Sequence, residues 1–254
     1  MKNISTYISE KLKISSTKPT HNYSPKMRIE LKELVNDLIE KRGDEADLND
    51  IDISQIITLN EMFWNKSKFN GDISEWNVSN VKSMQFMFYK CNDFNCDISG
   101  WDVSNLENAK GMFNGCYVFN QNLSIWDVSK VTDMGSMFVD CHEFNSDLSD
   151  WDVSNVERMP YMFYNCYKFN QDISKWNVSK VKNMAYMFSY ASNFNQDISE
   201  WKLDSIENLE NMFDTCTSFS YDLSKWKIDQ SKVKTKHMFM QTYALKNKPS
   251  WYLP

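Results

Sequence analysis

Residues 69–91 read FNGDISEWNVSNVKSMQFMFYKC, and closely similar letters return every 25 residues along most of the chain. The repeat places seven tryptophans in one column, at Trp76, Trp101, Trp126, Trp151, Trp176, Trp201 and Trp226. Met-Phe pairs keep the same step from Met62 to Met212, and an eighth pair begins one residue late at Met238. A period of this size predicts a repeat architecture in which each unit buries its apolar face against its neighbours.

Two periodicities alternate inside one repeat. Apolar and polar residues alternate over 69–74, which predicts a short strand with one buried face. From Val81 to Cys91 the apolar residues follow at three- and four-residue steps, which predicts a short helix. Ser79 and its equivalents precede this segment and suit a helix cap, and Ser104 with Glu107 fits a capping box, as does Ser154 with Glu157. Stacked units of this kind would align their strands in a parallel sheet.

The repeated letters form columns with separate expected roles. Tryptophan, phenylalanine and methionine columns are expected to face inward as the core. An asparagine column that starts at Asn70 can bond backbone between repeats, down to Ser220. An aspartate column that starts at Asp72 contains Asn122 in its middle. We expect these carboxylates to stabilise turns, and calcium bound along the column is the alternative.

Five of the six cysteines share one repeat position, at Cys91, Cys116, Cys141, Cys166 and Cys216. Ala191 holds the same position in another repeat, so the column predicts small buried side chains rather than a disulfide framework. Cys96 alone lies off the column. No histidine stands at metal-ligand spacing from these thiols, and we expect no metal site and no cofactor.

The charge of the chain bears on its partners. The net charge is −6, with +1 on residues 1–47 and −7 on residues 48–254. This balance argues against a nucleic-acid partner, because binding to a phosphate backbone needs clustered lysine and arginine. No apolar run is long enough to cross a membrane, and no Sec signal or lipobox is visible at the amino terminus. An intracellular or virion-associated location is therefore the expectation.

The pattern predicts five segments. Residues 1–14 form an amino-terminal leader or amphipathic segment, and residues 15–23 form a linker. Residues 24–43 form a capping helix, with Ser24 and Pro25 at its start and Gly43 at its end. Residues 44–240 form the repeats, and residues 241–254 form a carboxy-terminal cap in which Trp251 returns near the repeat register.

The repeat resembles a known class. The pattern Val-x-x-Met-x-x-Met-Phe-x-x-Cys-x-x-Phe-Asn-x-Asp-Ile-Ser-x-Trp-Asp-Val-Ser is similar to BspA-type leucine-rich repeats, in the variant abundant in mycoplasma surface lipoproteins, over residues 48 to about 240. The resemblance implies a curved, right-handed solenoid that serves adhesion or protein binding without catalysis, usually at a cell surface. The predicted fold class is therefore α/β, a leucine-rich-repeat-like solenoid with a parallel sheet, a short helix per repeat and an amino-terminal capping helix.

The leader offers an alternative role for the chain. Residues 1–14 resemble short leaders on internal proteins of tailed phages, and Ile8-Ser9-Glu10 is similar to the cleavage sites of prohead proteases. This resemblance implies a structural or packaged virion protein that carries residues 1–14 as an address tag.

Nothing in the sequence indicates catalysis. The three histidines, His21, His142 and His237, have no repeated serine, cysteine or carboxylate partner at a useful offset. We expect a non-catalytic repeat protein that binds another macromolecule, a protein rather than a small molecule, through an extended surface. A glycan-binding adhesin is a further alternative. The candidate partner-binding residues are Tyr89, Tyr161, Tyr164, Tyr167 and Tyr190.

Overall fold

The computed structural model describes residues 21–252, and turns account for most of its backbone. Helix α1, Arg28–Arg42, is the one α-helix among these residues. The described residues form no extended strands, since backbone pairing between repeats is confined to isolated parallel bridges such as Thr58 with Ser83. The predicted α/β solenoid with a parallel sheet and a helix in each repeat is therefore wrong.

Helix α1 lies inside the segment predicted as a capping helix. It begins at Arg28 rather than at Ser24, because the Glu30 carboxylate accepts hydrogen bonds from the amides of Lys26 and Met27 at 2.8 and 3.3 Å. It ends at Gly43, whose φ of 89° is the left-handed geometry that glycine adopts without strain. Its apolar stripe is buried against the first repeat through Leu31, Val35, Leu38 and Ile39.

The segment predicted to be helical folds as a run of consecutive tight turns, which we call the turn ribbon (residues 84–91 and their counterparts in each repeat). The amide of Met87 donates to the carbonyl of Met84 at 3.0 Å, and the amide of Cys91 donates to that of Phe88 at 2.9 Å. Phe86 and Lys90, with φ of 52° and 56°, interrupt the right-handed geometry that a helix requires. Turns closed between residues three apart bury the same apolar positions as a helix would. The spacing of the apolar residues is therefore the same for both structures, which is why it was misleading.

Turn ribbons of successive repeats are joined by a ladder of hydrogen bonds. At each of seven junctions, four alternate amides of one ribbon donate to carbonyls of the next ribbon. At the second junction these donors are Met84, Phe86, Phe88 and Lys90, whose acceptors are Asn108, Lys110, Met112 and Asn114. The backbone is thus satisfied between repeats without an extended strand, and the repeats form one continuous stack. We call this assembly the repeat stack.

Two positions in each turn ribbon are left-handed. The first column contains Glu61, Phe86, Gly111, Ser136, Tyr161, Tyr186, Asn211 and His237, and the second contains Asn65, Lys90, Gly115, Asp140, Asn165, Tyr190, Thr215 and Gln241. A residue other than glycine costs about 1–2 kcal/mol in this geometry. The seven ladder junctions therefore hold in place a backbone that is locally unfavourable.

Replacing Ser136 by glycine tests this strain. Ser136 has a φ of 59° in the same column as Gly111, so Ser136→Gly should raise the free energy of unfolding by about 1 kcal/mol. Urea denaturation measures the change. Ser136→Val is the matched control and should lower stability, because a β-branched side chain tolerates this geometry poorly. A destabilising glycine substitution would contradict the strain argument.

The core columns lie inside the repeat stack, as predicted. The seven repeated tryptophans are at most 5% exposed, and the phenylalanines of both columns are almost fully buried. The indole Nε1 of Trp101 donates to the carbonyl oxygen of Ile73 at 3.2 Å, and each repeated tryptophan bonds a carbonyl 28 residues earlier in the same way. These bonds satisfy the one polar atom of each buried ring.

The five cysteines of the cysteine column are buried in the core, where they are small side chains with free thiols. The Cys116 thiol donates to the carbonyl oxygen of Phe88 at 3.2 Å, and the Cys91 thiol does the same to Phe63 at 3.0 Å. Burial raises the pKa of Cys91 to about 12 and keeps this thiol protonated at neutral pH. Cys96 lies off the column and is partly exposed.

Two turns in each repeat are closed by an aspartate or asparagine side chain. Asp97 Oδ1 accepts the amide of Ser99 at 2.9 Å, and Asp102 Oδ1 accepts the amide of Ser104 at 3.0 Å. The aspartate column therefore stabilises turns, as expected. The predicted role of Ser104 and its equivalents as helix caps is wrong, because each serine donates to the side chain two residues before it. Glu107 forms an ion pair with Lys82 instead of a capping box, and Glu157 pairs likewise with Lys182.

These turns predict acid lability. Hydrogen bonds from the following serine lower the pKa of the aspartates at 72, 97, 102, 147, 152, 172 and 222. The pKa of each of these aspartates is lower in the folded chain than in the unfolded chain. Its contribution to the free energy of unfolding is therefore complete above about pH 4 and is lost as the pH falls through the folded pKa. The melting temperature should therefore be nearly constant from about pH 5 to 7 and should fall below about pH 4.

A pair of substitutions isolates this effect. Asp147→Asn should weaken the acid dependence, because Asn122 already makes the same turn with a neutral side chain, bonding the Ser124 amide at 3.0 Å. Asn122→Asp should strengthen it. Identical pH profiles for both variants and the original chain would show that the turns do not control acid stability.

The asparagine column joins repeats as predicted. Asn95 donates its amide to Asn70 Oδ1 at 2.8 Å, and the series continues to Ser220, whose amide bonds Asn195 Oδ1 at 3.0 Å. At the carboxy-terminal end, Trp251 Nε1 bonds the carbonyl of Leu223 at 3.0 Å, so Trp251 rejoins the tryptophan column. The leader at 1–14, the linker up to residue 20 and residues 253–254 lie outside the described residues.

Candidate functional site

The exposed side chains of the turn ribbons form the most aromatic surface among the described residues. Each Met-Phe pair is buried. The residue just before the pair and the residue just after it reach the surface in most repeats, although Gly111, Ser189 and Asp214 are buried. In several repeats these two positions hold aromatic rings, and Tyr190 adds a ring two residues after its pair. We call the two groups of rings that result the aromatic face.

The first group contains Trp64, Phe86 and Tyr89. Trp64 stacks on Tyr89 with ring centroids 4.1 Å apart, and Phe86 meets both rings edge to face at 5.6 and 5.7 Å. Two cations lie over this group, with Lys90 Nζ 5.3 Å from the Tyr89 centroid and Lys110 Nζ 5.9 Å from that of Phe86. Trp64 is 42% exposed, so the group presents a broad apolar surface to solvent.

The second group contains Tyr161, Tyr164, Tyr186 and Tyr190. Tyr161 and Tyr186 stack with centroids 4.6 Å apart, and Tyr164 contacts Tyr161 and Tyr190 at 5.8 and 5.6 Å. Partial burial, together with the neighbouring tyrosines, raises the pKa of Tyr161 and of Tyr164. The hydroxyls of Tyr161 and Tyr164 therefore stay protonated at neutral pH and can both donate and accept hydrogen bonds.

Small residues separate the two groups. Gly111 and Gly115 occupy the corresponding positions of the first of two intervening repeats, and both are buried. Beside the second group runs a groove with Gly135, Pro160 and Ala185 in its lining. Asp133 and Arg158 also line the groove, where the Arg158 Nε lies 3.6 Å from Asp133 Oδ2. The aromatic face thus combines two groups of rings with a partly polar groove beside the second group.

A third aromatic column stands just after the turn ribbon. His142 lies between the rings of Tyr117 and Tyr167, with centroid distances of 4.9 and 4.7 Å. Lys168 and Glu143 form an ion pair next to it. We call this group the histidine column.

The five tyrosines predicted as a binding site fall into three places. Tyr161, Tyr164 and Tyr190 come together in the second group, Tyr89 belongs to the first group, and Tyr167 belongs to the histidine column. Sequence reasoning pointed to the variable loop that contains Tyr117 and His142, but it missed Trp64, Phe86 and Tyr186. The signal that could have found these three is position relative to the Met-Phe pair, because each of them stands directly beside such a pair.

The geometry of the described residues offers little for catalysis or metal binding. Among residues 21–252, no group of three or more histidine, cysteine, aspartate or glutamate side chains could hold a metal ion. Ser189 Oγ is fully buried and makes no hydrogen bond within this part of the chain, and it lies in the ribbon beside Tyr190. Among the same residues, no helix is both long and apolar enough to cross a membrane.

Comparison with known protein families supplies an identity for the repeat. The family model described as Mycoplasma protein of unknown function, DUF285, matches the chain twice, over residues 30–151 and 133–252. The chain belongs to the DUF285 family. The two matches of the DUF285 model span α1 and the repeat stack together, so the chain is a mycoplasma-type repeat protein. Neither the curated proteins nor the solved structures contain a match to it.

The DUF285 match agrees with the structural unit seen here. Both matches run through several copies of the turn ribbon, and they overlap at residues 133–151 because the repeats are nearly equivalent. The family description names no activity and no ligand. The properties of the aromatic face therefore carry the functional argument for this DUF285 chain.

Proposed function

We propose that this DUF285 chain is a non-catalytic repeat protein that binds another protein through the aromatic face. The observation that carries the proposal is the gathering of seven aromatic side chains into two surface groups on the turn ribbons, where Trp64, Tyr161 and Tyr190 are each more than a third exposed. Aromatic side chains dominate the central contacts of protein interfaces, because they bury a large area at a low cost in conformational entropy.

The arrangement of the rings favours a protein over a glycan. Sugars stack on the open faces of aromatic rings, whereas Tyr161 and Tyr186 cover each other's faces at 4.6 Å with planes only 5° apart. Partly exposed rings stacked in this way, with their hydroxyls, suit peptide groups and apolar side chains. The likeness of the repeat letters to BspA-type repeats, which serve adhesion or protein binding, agrees with this proposal.

The absence of catalysis is part of the proposal. The thiols of Cys91, Cys116, Cys141, Cys166 and Cys216 are buried with raised pKa values, so they are poor nucleophiles. His142 lies between two tyrosine rings rather than beside a nucleophile and a carboxylate that would form a triad.

A pair of double variants tests the proposal. The chain, immobilised at its amino terminus, is used to capture partners from the native lysate, and the captured protein is then purified and titrated. Tyr161→Ser with Tyr186→Ser should weaken binding about 30-fold or more, since aromatic hot spots contribute about 2 kcal/mol or more each. Tyr117→Ser with Tyr167→Ser is the control, because it removes two exposed tyrosines from the histidine column.

The outcome is decisive when both variants keep the melting temperature of the original chain. Loss of binding in the control alone, or equal loss in both variants, would move the interface away from the aromatic face. Binding that survives in every variant would remove the proposal.

A further inference from the structure

The turn ribbons give the repeat stack a direction. At every junction, the four ladder amides of one ribbon point toward the following repeat, and the acceptor carbonyls point back toward the preceding one. In the fifth repeat the donors are Met159, Tyr161, Phe163 and Asn165. One or two reverse bonds beside each ladder, such as the amide of Thr132 to the carbonyl of Glu107, offset only part of this alignment. The stack therefore has a carbonyl edge at its amino-terminal end and an amide edge at its carboxy-terminal end.

Cations from α1 lie at the carbonyl edge. Arg28 Nη1 donates to the ladder carbonyl of Asn60 at 2.9 Å. Lys32 Nζ donates at 2.7 Å to the neighbouring carbonyl of Glu61, which also closes a turn with the Trp64 amide. Aligned peptide dipoles leave partial negative charge at such an edge, and cations stabilise it. Here the chain itself supplies the complementary charge.

The amide edge of the last repeat is covered only in part within residues 21–252. Its four ladder positions are Thr235, His237, Phe239 and Gln241, and none of their amides donates to a backbone carbonyl in the described part of the chain. The Tyr252 ring packs against Phe239 with centroids 5.1 Å apart and shields the middle of the edge. His237 and Gln241 are exposed and left-handed, with φ of 56° and 54°.

The charge of the chain rises at the same end. Residues 225–254 contain seven lysines and one aspartate, a net charge of +6, whereas residues 48–224 contain 12 lysines and arginines and 25 acidic residues, a net charge of −13. Lys234 and Lys236 are exposed in the last ribbon itself, directly before His237. Met240 and Tyr243, 41% and 76% exposed, add apolar surface beside them.

We propose that the amide edge of the last repeat, flanked by Lys234 and Lys236, binds an acidic segment of a partner protein. An edge that offers only donors cannot pair with an ordinary strand, because a strand presents donors and acceptors alternately. Carboxylate side chains supply acceptors without donors and complement the lysines. The amides lie in one row, which suits a chain-like ligand. This surface is separate from the aromatic face and does not depend on the function proposed for it.

Titration with a defined probe tests the proposal on the full chain. A fluorescent oligoglutamate peptide should bind, with an affinity that falls as salt is added, and oligolysine and glycine-serine peptides should not. In nuclear magnetic resonance spectra, the amide signals of His237 and Gln241 should move on titration. Before the probe is added, these two amides should exchange with solvent far faster than those of Asn211 and Thr215, which are bonded to the last repeat.

Charge-reversed variants locate the site. Lys234→Glu with Lys236→Glu should weaken oligoglutamate binding about tenfold or more. Lys68→Glu with Lys175→Glu, which makes the same change of charge away from the last repeat, should change it less than about twofold. The Tyr161→Ser and Tyr186→Ser variant should bind the probe as well as the original chain does, which keeps this result distinct from that of the aromatic face.

Several results would overturn the proposal. They are no oligoglutamate binding, equal binding in both charge-reversed variants, amide shifts confined to other repeats, and slow exchange at His237 and Gln241 in the free chain. Binding to phosphatidylserine vesicles without binding to the peptide would also overturn it, in favour of an anionic membrane surface. Melting curves of each variant establish that the fold is retained.

Discussion

Phe138→Ala should lower the free energy of unfolding by about 3–5 kcal/mol, a large part of the stability of a typical domain. Phe138 is fully buried in the middle of the repeat stack. Its ring centroid lies 4.1 Å from that of Phe144, and 5.6 and 5.7 Å from those of Phe113 and Phe163. Truncation leaves a cavity between three repeats that the rigid ladder cannot close. Urea denaturation monitored by tryptophan fluorescence measures the loss.

Tyr161→Ala is the matched control for this substitution. Tyr161 is an aromatic residue that is 38% exposed, and its truncation should cost less than about 1 kcal/mol. Similar losses for Phe138→Ala and Tyr161→Ala would contradict the assignment of core and surface columns.

Gly111→Ala should be the second severe substitution, with a loss of about 2–4 kcal/mol. Gly111 has a φ of +62°, and an added Cβ would lie 2.1 Å from Cε1 and 2.2 Å from Cδ1 of Phe86. The aromatic ring of one repeat therefore occupies the space above the glycine of the next. The loss has two parts, the left-handed strain of an alanine and the steric conflict with the ring.

A second substitution separates the two parts. Phe86→Ala combined with Gly111→Ala should recover the steric part, so the double variant should be less unstable than the two single losses predict when added. Gly100→Ala is the control, because no atom lies within 4 Å of the added Cβ at that position. Additive losses in the double variant would show that the Phe86 ring does not control the choice of glycine.

The inward columns could be predicted from the sequence because burial follows repeat position. A residue that recurs at a fixed 25-residue step meets the same neighbours in each repeat, so Trp101 and Trp126 share one environment and stack with centroids 6.5 Å apart. The asparagine ladder and the turn-forming aspartates were predictable for the same reason. Their chemistry is local or joins equivalent positions.

The helix and the strand of each repeat could not be predicted correctly, because the apolar spacing of the turn ribbon suits a helix equally well. Steps of three residues from Met84 to Met87 satisfy either one helical face or consecutive turns. What distinguishes them is the left-handed backbone at Phe86 and Lys90, which no propensity of phenylalanine or lysine indicates.

The candidate site was only partly predictable. Tyr161, Tyr164 and Tyr190 were found from their clustering along the chain, whereas Tyr186 was missed although it stacks directly on Tyr161. Side chains 25 residues apart become neighbours only through the ladder, so the composition of a surface depends on the repeat register rather than on local sequence.

The sequence by itself determined the repeat, its inward columns and its charge distribution, because these depend on which residues recur and where. Only the tertiary structure decided the backbone geometry and the polarity of the stack. Amides such as that of Phe86 find their acceptors in the next repeat, at Lys110. The energy of bonds between repeats outweighs the local preference for a helix, and that energy exists only once neighbouring repeats are in contact.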